Sequence, residues 1–290
     1  MDIGIVVIAF KRHDLLKNTL RKLFLSNENV GLDIAIYIDG ARNKEEEIAV
    51  SKVRSICSLF PLTYINNRDK NLGLEKNITS AITEMLTKYE AVIVIEEDIS
   101  VHPSFVDYMC FCLSKFKNNN NIYHINGFVP ISMTHDYFYQ NSIMSCWGWG
   151  TWRNRWKEYE RDLELVEKMS LFQRIRFNNY FSMTFFSHLI GNKLGIKETW
   201  AIFWYLAIFN ANGKCINPPK CLVENTGLAS GENPEFVSYK ISIISEKNNF
   251  SDFSVDRSYL SWLFHIKFWW FYIKNTKKKS LLSGLYKIFC

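Results

Sequence analysis

An α/β fold on a mostly parallel, doubly wound sheet follows from three features of this 290-residue sequence. Short β-branched apolar runs recur through the first half. They alternate with longer segments whose apolar residues repeat at helical spacing. Each run is followed by polar or charged residues, so the strands deliver those groups to one edge of the sheet, where open α/β sheets bind ligands. Composition agrees with a packed domain: 48% of residues are hydrophobic and 22% charged, which excludes wholesale disorder or a fibrous chain.

The elements follow in order. Ile3–Ala9 is a nearly continuous β-branched run, the mark of a strand buried on both faces of a parallel sheet. His13–Leu25 places Leu15, Leu16, Leu20, Leu23 and Phe24 at helical spacing. Ile34–Ile38 reads as a second buried strand ending at Asp39-Gly40, and Lys44–Leu59 as a second helix. A short strand is expected over Leu62–Ile65, a helix over Asn77–Tyr89, and the most apolar strand over Ala91–Ile95. Ile122–Ile125 is a later strand, and Thr199–Asn210 an apolar helix. Residues 1–254 are expected to form the domain, in two halves over 1–116 and 117–254. Residues 255–290 form an appended helical, aromatic and basic segment.

Several function classes drop away. The first strand is followed by neither the GxGxxG dinucleotide fingerprint nor the GxxxxGK[ST] phosphate loop. The seven cysteines are odd in number and scattered, without a CxxC pair, so a zinc site or a disulfide framework is not expected. No basic, cleavable leader opens the chain, and no apolar stretch reaches the roughly 18–20 residues that span a bilayer. A cytoplasmic setting is the expectation. The net charge is +6, and residues 255–290 carry seven basic residues (Arg257, Lys267, Lys274, Lys277, Lys278, Lys279, Lys287) against Asp256 alone. The remainder is therefore balanced, and a nucleic-acid polycation is not expected.

Chemistry concentrates at the strand ends. Glu96-Glu97-Asp98 directly follows the most apolar strand. Adjacent carboxylates raise one another's pKa unless a cation or hydrogen-bond donors compensate, and a hard ion such as Mn²⁺ or Mg²⁺ can do so while bridging to phosphate oxygens. An acidic strand end opening a solvated loop is the plainer alternative. Phe10-Lys11-Arg12, Asp39-Gly40 and Asn66-Asn67-Arg68 end the other strands on the same edge.

The order of these motifs resembles GT-A glycosyltransferases. The residues that carry the likeness are Ile3–Phe10 with Lys11-Arg12, then Asp39, then Asn71-Leu72-Gly73-Leu74 before a helix, then Glu96-Glu97-Asp98. The sequence is similar to the family of Golgi N-acetylglucosaminyltransferase I, whose metal motif is also an acidic triplet, and to bacterial family 2-like enzymes. The likeness covers roughly residues 1–230 and is strongest in the first 110, in keeping with one ligand site at the switch point of an α/β sheet. It implies a GT-A sheet, a UDP-sugar donor, and Mn²⁺ or Mg²⁺ ligated by Asp98. Glu96 and Glu97 would reach hydroxyls of the ribose and donor sugar. Asp39 would accept the uracil imide N–H, and Arg12, next to Phe10, would lie near uracil and diphosphate. Asn71, Gly73 and Leu74 would shape the floor under the nucleotide, with Gly73 permitting close approach. The late histidine that many such enzymes add to the metal is missing from Asn225–Asn233, so Asp98 would serve alone or with Glu232.

The acceptor half, over 117–254, holds four of the nine tryptophans within residues 147–156. Trp147-Gly148-Trp149 suits a sugar, because apolar sugar faces stack on flat rings; for Trp147 and Trp149 core and site stand open, and Trp152 and Trp156 read as core. Inverting members of the resembled family carry an acid before a tryptophan as general base, which here is Glu198 of Glu198-Thr199-Trp200. In the tail, Tyr259, Trp262, Ile266, Trp269 and Ile273 fall on one helical stripe and Lys267, Lys274 and Lys278 on another. That pattern fits either an anionic membrane surface or docking on the domain. The expected function is an inverting, metal-dependent transfer from a UDP-sugar to a glycan or lipid-linked glycan, in bacterial surface polysaccharide synthesis. A nucleotidyltransferase on a similar sheet and a non-catalytic glycan-binding or membrane adaptor are the alternatives.

Overall fold

The structure is a computed structural model and describes residues 1–133, 137–227, 250, 254–255 and 259–275. The chain begins β1 (Ile3–Ala9), α1 (His13–Asn27), β2 (Ile34–Ile38), α2 (Lys44–Cys57), β3 (Tyr64–Asn67), α3 (Gly73–Lys88), β4 (Ala91–Glu96), β5 (Ile99–Val101) and α4 (Phe105–Phe116). It continues with β6 (Ile122–Asn126), β7 (Tyr137–Asn141), β8 (Trp149–Trp152), α5 (Arg153–Trp156), α6 (Leu165–Lys168), α7 (Leu171–Phe177) and α8 (Phe185–Lys193). The last elements are α9 (Ala201–Asn210), β9 (Lys214–Asn217), β10 (Val223–Asn225), β11 (Ser254–Val255) and α10 (Tyr259–Asn275).

Nine strands form one sheet in the order β11-β7-β9-β6-β8-β4-β1-β2-β3, and β5 pairs with β10 apart from it. β1 to β4 are mutually parallel. β8 runs antiparallel between β4 and β6, so β6 and its parallel neighbour β9 point the same way as β4. The sheet is thus mostly parallel and flanked by helices. Because β4 and β6 meet across β8, the two halves expected at residues 116 and 117 share it.

Burial explains the strand pattern. Every residue of β1 and β2 is buried, and alternate residues face opposite helical layers. Ile5, Val7, Ile36 and Ile93 pack against Leu16, Leu20, Val50 and Phe105. Val6, Ile8, Val92 and Val94 pack against Ile78, Ile82, Met85 and Trp204.

The structure corrects some sequence boundaries. The strand expected over Leu62–Ile65 lies at Tyr64–Asn67, paired with Ala35–Ile38. It is an edge strand with mostly exposed residues, so apolar content does not mark it. The helix expected from Asn77 begins at Gly73. Of the tryptophan run, Trp149 and Trp152 lie on the strand β8 and Trp156 ends the short helix α5. The loop expected over Gly227–Pro234 lies outside the described residues beyond Gly227, as do Glu232 and the lysines at 277, 278, 279 and 287.

Four tryptophans, Trp149, Trp156, Trp200 and Trp204, build the second core layer, and Trp152 is buried in the first. Trp149 stacks on His124 (ring centroids 4.9 Å) and on Trp200 (5.6 Å). His124 is itself fully buried. The Trp204 Nε1–H donates to its Nδ1 at 3.1 Å, so its other nitrogen, 3.1 Å from the Ser145 carbonyl, carries the proton. α10 docks through Phe264 and Phe268, with Phe264 stacked on Tyr139 at 4.8 Å; of the aromatic stripe, Trp262 and Ile266 are exposed while the Trp269 Nε1–H donates to the Tyr180 carbonyl.

Burial holds the His124 pKa down at about 3. The unfolded chain takes this proton near pH 6.5, and the folded protein refuses it until about pH 3. Stability therefore falls as pH drops through that window, with a limiting slope from this group of about 1.4 kcal/mol per pH unit. Urea unfolding between pH 4 and 7 should show that component of the slope, and His124→Gln should lack it.

Candidate active site

The C-terminal ends of β1, β2 and β4 bring the charged residues of the first half to one edge. Glu97 is almost fully buried there. The Phe10 backbone N–H donates to its Oε2 at 2.5 Å, and the Arg12 Nε–H donates to its Oε1 at 2.5 Å. Its main-chain carbonyl accepts from the Thr19 hydroxyl at 2.8 Å. Arg12 reaches on with Nη1 to Asp98 Oδ2 at 3.0 Å, and its side chain remains 41% exposed. Burial pushes the Glu97 pKa up, opposed by Arg12 and the Phe10 N–H. Glu96 ends β4 partly exposed, and its carboxyl makes no hydrogen bond to a described residue. Its pKa is pushed up to about 8, first by desolvation and then by Asp98 and Glu97, with Arg12 opposing.

Asp39, also buried, holds the next loop. Its Oδ1 accepts from the Gly40 and Leu72 N–H groups at 2.9 and 2.8 Å. Its Oδ2 accepts from the Gly73 N–H at 3.0 Å and from Asn71 Nδ2 at 3.1 Å. These four bonds use all the acceptor positions of the carboxylate. As it stands, then, Asp39 positions the loop and has no lone pair left for a uracil imide. Gly73 has φ +78, which an L side chain resists, and no protein atom lies within 4 Å of where its Cβ would be. Leu74 opens α3 and is 53% exposed. Gly40 lies against the Lys70 backbone, where a Cβ would overlap it.

The second half meets this edge through the loop before β8. The Cys146 thiol is pushed up by burial and by the charges of Glu96 and Asp98, which places that loop beside the triplet. Trp147 is half-buried on Phe128 (4.5 Å), and Gly148 turns the chain with φ +57. Trp149 is fully enclosed between His124 and Trp200 and offers no surface to an acceptor. Glu198 is exposed just before α9. A three-residue turn joins α9 to β9, so the helix runs antiparallel to the strand and its N-terminus lies at the C-terminal edge. Trp200 beside Trp149, and Trp204 beside Tyr123, confirm that direction. Glu198 therefore shares the sheet edge of the acidic triplet.

Two contributors escaped the sequence. Arg42, a few residues beyond Asp39, lies with Lys11 against the Phe10 ring, at 5.6 and 5.5 Å from its centroid. Both bind Glu46, whose carboxyl hydrogen bonds from Arg42 help hold at about 2. Position on the shared edge was the available signal. Gly227 is the other. Thr226 donates both its N–H and its hydroxyl to the Asp98 carbonyl at 2.9 Å, and a Cβ on Gly227 would overlap the Asp98 carboxylate and lie 3.0 Å from Arg12 Nη1. Nothing in the local sequence announces that contact.

No protein-family model matches the chain, and no curated protein does. Solved structures resemble it. The 1–349 fragment of TarS from S. aureus superposes with a TM-score of 0.47 at 11% identity, over 79% of this chain and 61% of that one. The mannosyltransferase PcManGT from Pyrobaculum calidifontis, in complex with GDP-Man and Mn²⁺, gives 0.42 at 9% over 72% and 69%. A cytidylyltransferase from Leptospira borgpetersenii gives 0.34 at 10% over 59% and 65%. These are likenesses of fold, they do not single out the N-acetylglucosaminyltransferase I family, and no residue role is drawn from them.

The donors at the triplet suit a hard divalent cation, since they are all carboxyl oxygens. Among the described residues, however, no group of three or more His, Cys, Asp or Glu side chains could hold a metal. Glu97 is spent on Phe10 and Arg12. Asp98 and Glu96 remain, a set that fits an ion whose other ligands come from a bound phosphate and water, as is usual for Mg²⁺.

Asp39→Ala should leave the part-buried N–H donors at Leu72 and Gly73 without their protein partner. We expect a loss of about 1 kcal/mol in urea unfolding, with faster amide exchange at those two residues and a weaker change in Asp39→Asn.

Proposed function

We propose that this chain is a glycosyltransferase that moves a sugar from a UDP-sugar, with inversion, to a glycan or lipid-linked glycan acceptor, using Mn²⁺ or Mg²⁺. The convergence of Glu96, Asp98 and Arg12 at the end of β4, on the sheet edge where Asp39 at the end of β2 holds the loop at Gly73, carries this reading. It supplies oxygen donors and a cation where a nucleoside diphosphate would lie.

Asp98, with Glu96 beside it, would hold the metal. The ion, when bound, neutralises the departing diphosphate. Arg12 adds positive charge on the same side, with Lys11 and Arg42 flanking Phe10 at the mouth. Asn71, Gly73 and Leu74 form the floor under the nucleotide, and Asp39 fixes their shape. Trp147 offers the acceptor a partly exposed ring. Glu198 takes the proton of the acceptor hydroxyl as its oxygen attacks the anomeric carbon from the face opposite UDP. The bond from that carbon to the diphosphate oxygen breaks, and UDP leaves with the electron pair. The same reading places the enzyme in the cytoplasm, in synthesis of a bacterial surface polysaccharide.

Calorimetry of UDP binding with and without Mn²⁺ tests the nucleotide site. Binding should strengthen with Mn²⁺, and Asp98→Ala should abolish that gain. A native protein that ignores UDP under both conditions would defeat the assignment.

Glu198→Gln tests the base. With UDP affinity unchanged, UDP release from donor and acceptor should slow by about 100-fold or more. Pyrophosphate release instead of UDP would mark a nucleotidyltransferase, and unchanged turnover would remove Glu198 from the mechanism.

A further inference from the structure

α10 has a face that the nucleotide edge does not use. Its inner side is committed to the body through Phe264 and Phe268. Outside, Trp262 is 57% exposed and Trp270 62%, with Ile266 and Trp269 also exposed. Lys267 and Lys274 are exposed beside them, and the helix contains no acidic residue. Such a cluster of large apolar side chains is uncommon on the surface of a monomer.

The helix also walls a cleft of about 390 Å³. Trp262, Ile266 and Trp269 line one side, and Arg176 and Lys214 are on the other. No acidic residue lines it among the described residues. Trp269 is fixed there, because its Nε1–H donates to the Tyr180 carbonyl at 3.0 Å. That carbonyl belongs to Asn179-Tyr180-Phe181, three successive residues with φ of 45, 52 and 71. Non-glycine residues hold such a conformation only where the surroundings impose it.

We infer that this face seats the protein on an anionic lipid bilayer. α10 lies in the plane of the interface, its tryptophans and Ile266 among the headgroups and chain ends. Lys267, Lys274, Arg176 and Lys214 meet lipid phosphates. Indole rings favour that zone, where one end of the ring is apolar and the other wet. Charge selects the bilayer over a second copy of the chain, since residues 255–290 hold seven basic residues against one acidic residue and two such faces repel. No helix among the described residues is long and apolar enough to cross the membrane, so the attachment is lateral.

Vesicle flotation of the full chain, with phosphatidylcholine alone and with added phosphatidylglycerol, tests this. Binding should require the anionic lipid and weaken with salt. Lys267→Gln/Lys274→Gln should lose about tenfold or more in partitioning, and Trp262→Ser/Trp270→Ser should lose most of it. Circular dichroism should show each variant folded. Nucleotide binding is measured separately, so its failure leaves the vesicle result standing. A folded native protein that stays in solution with both vesicles overturns the inference. So do variants that float as well as the native chain. A dimer in sedimentation velocity that the tryptophan variants dissociate would assign the face to a second copy.

Discussion

Glu97 turns its carboxylate into the protein, where the Phe10 N–H and Arg12 each donate to it at 2.5 Å, and the candidate site is arranged around that clamp. The clamp ties the loop after β1 to the end of β4, while Thr19 ties α1 to the same residue. Removing Arg12 would leave the buried Glu97 carboxylate with the Phe10 N–H as its one described donor. The clamp also fixes Arg12, whose Nη1 reaches Asp98. Asp98 in turn passes its carbonyl to Thr226. One chain of contacts thus runs from β1 through the triplet to the segment after β10.

The same arrangement leaves charge uncompensated. Arg12 serves Glu97 and Asp98, and Glu96 bears the consequence, with its pKa pushed up to about 8. Near neutral pH that carboxyl tends to keep its proton while no further cation is present. Bringing positive charge to this edge favours its ionised form. Desolvation is the first cause of that shift, and one of the three adjacent acids has already been spent on structure.

The sequence made the strand order of the first half legible because buried parallel strands are continuous apolar runs, and Ile3–Ala9, Ile34–Ile38 and Ala91–Ile95 stand out as such. It made the shared edge legible for the same reason, since polar residues end each run. What it could not separate was the acid that faces a ligand from the acid that holds a loop. Asp39 and Glu97 look like contacts in the sequence, yet both are filled by N–H donors from residues far along the chain. Trp149 illustrates the converse. Its neighbours suggest a sugar platform, but pairing of β8 with β4 carries it into the core beside His124 and Trp200. Such assignments depend on long-range pairing, and short-range patterning carries no record of it. The edge strand β3 was misplaced because exposed strands lack the apolar signal.

The position of α10 sets it apart from the triplet. The helix packs on β7, and four strand spacings separate β7 from β4, or about 19 Å at about 4.8 Å each. The cleft beside α10 opens near the start of β9, whereas the triplet lies at the opposite, C-terminal edge of the parallel strands. The helix and the triplet are thus carried by different parts of one sheet and lie toward opposite ends of its parallel strands, so a change on the outer face of α10 has no direct contact through which to alter the triplet, and the two sites can be tested independently.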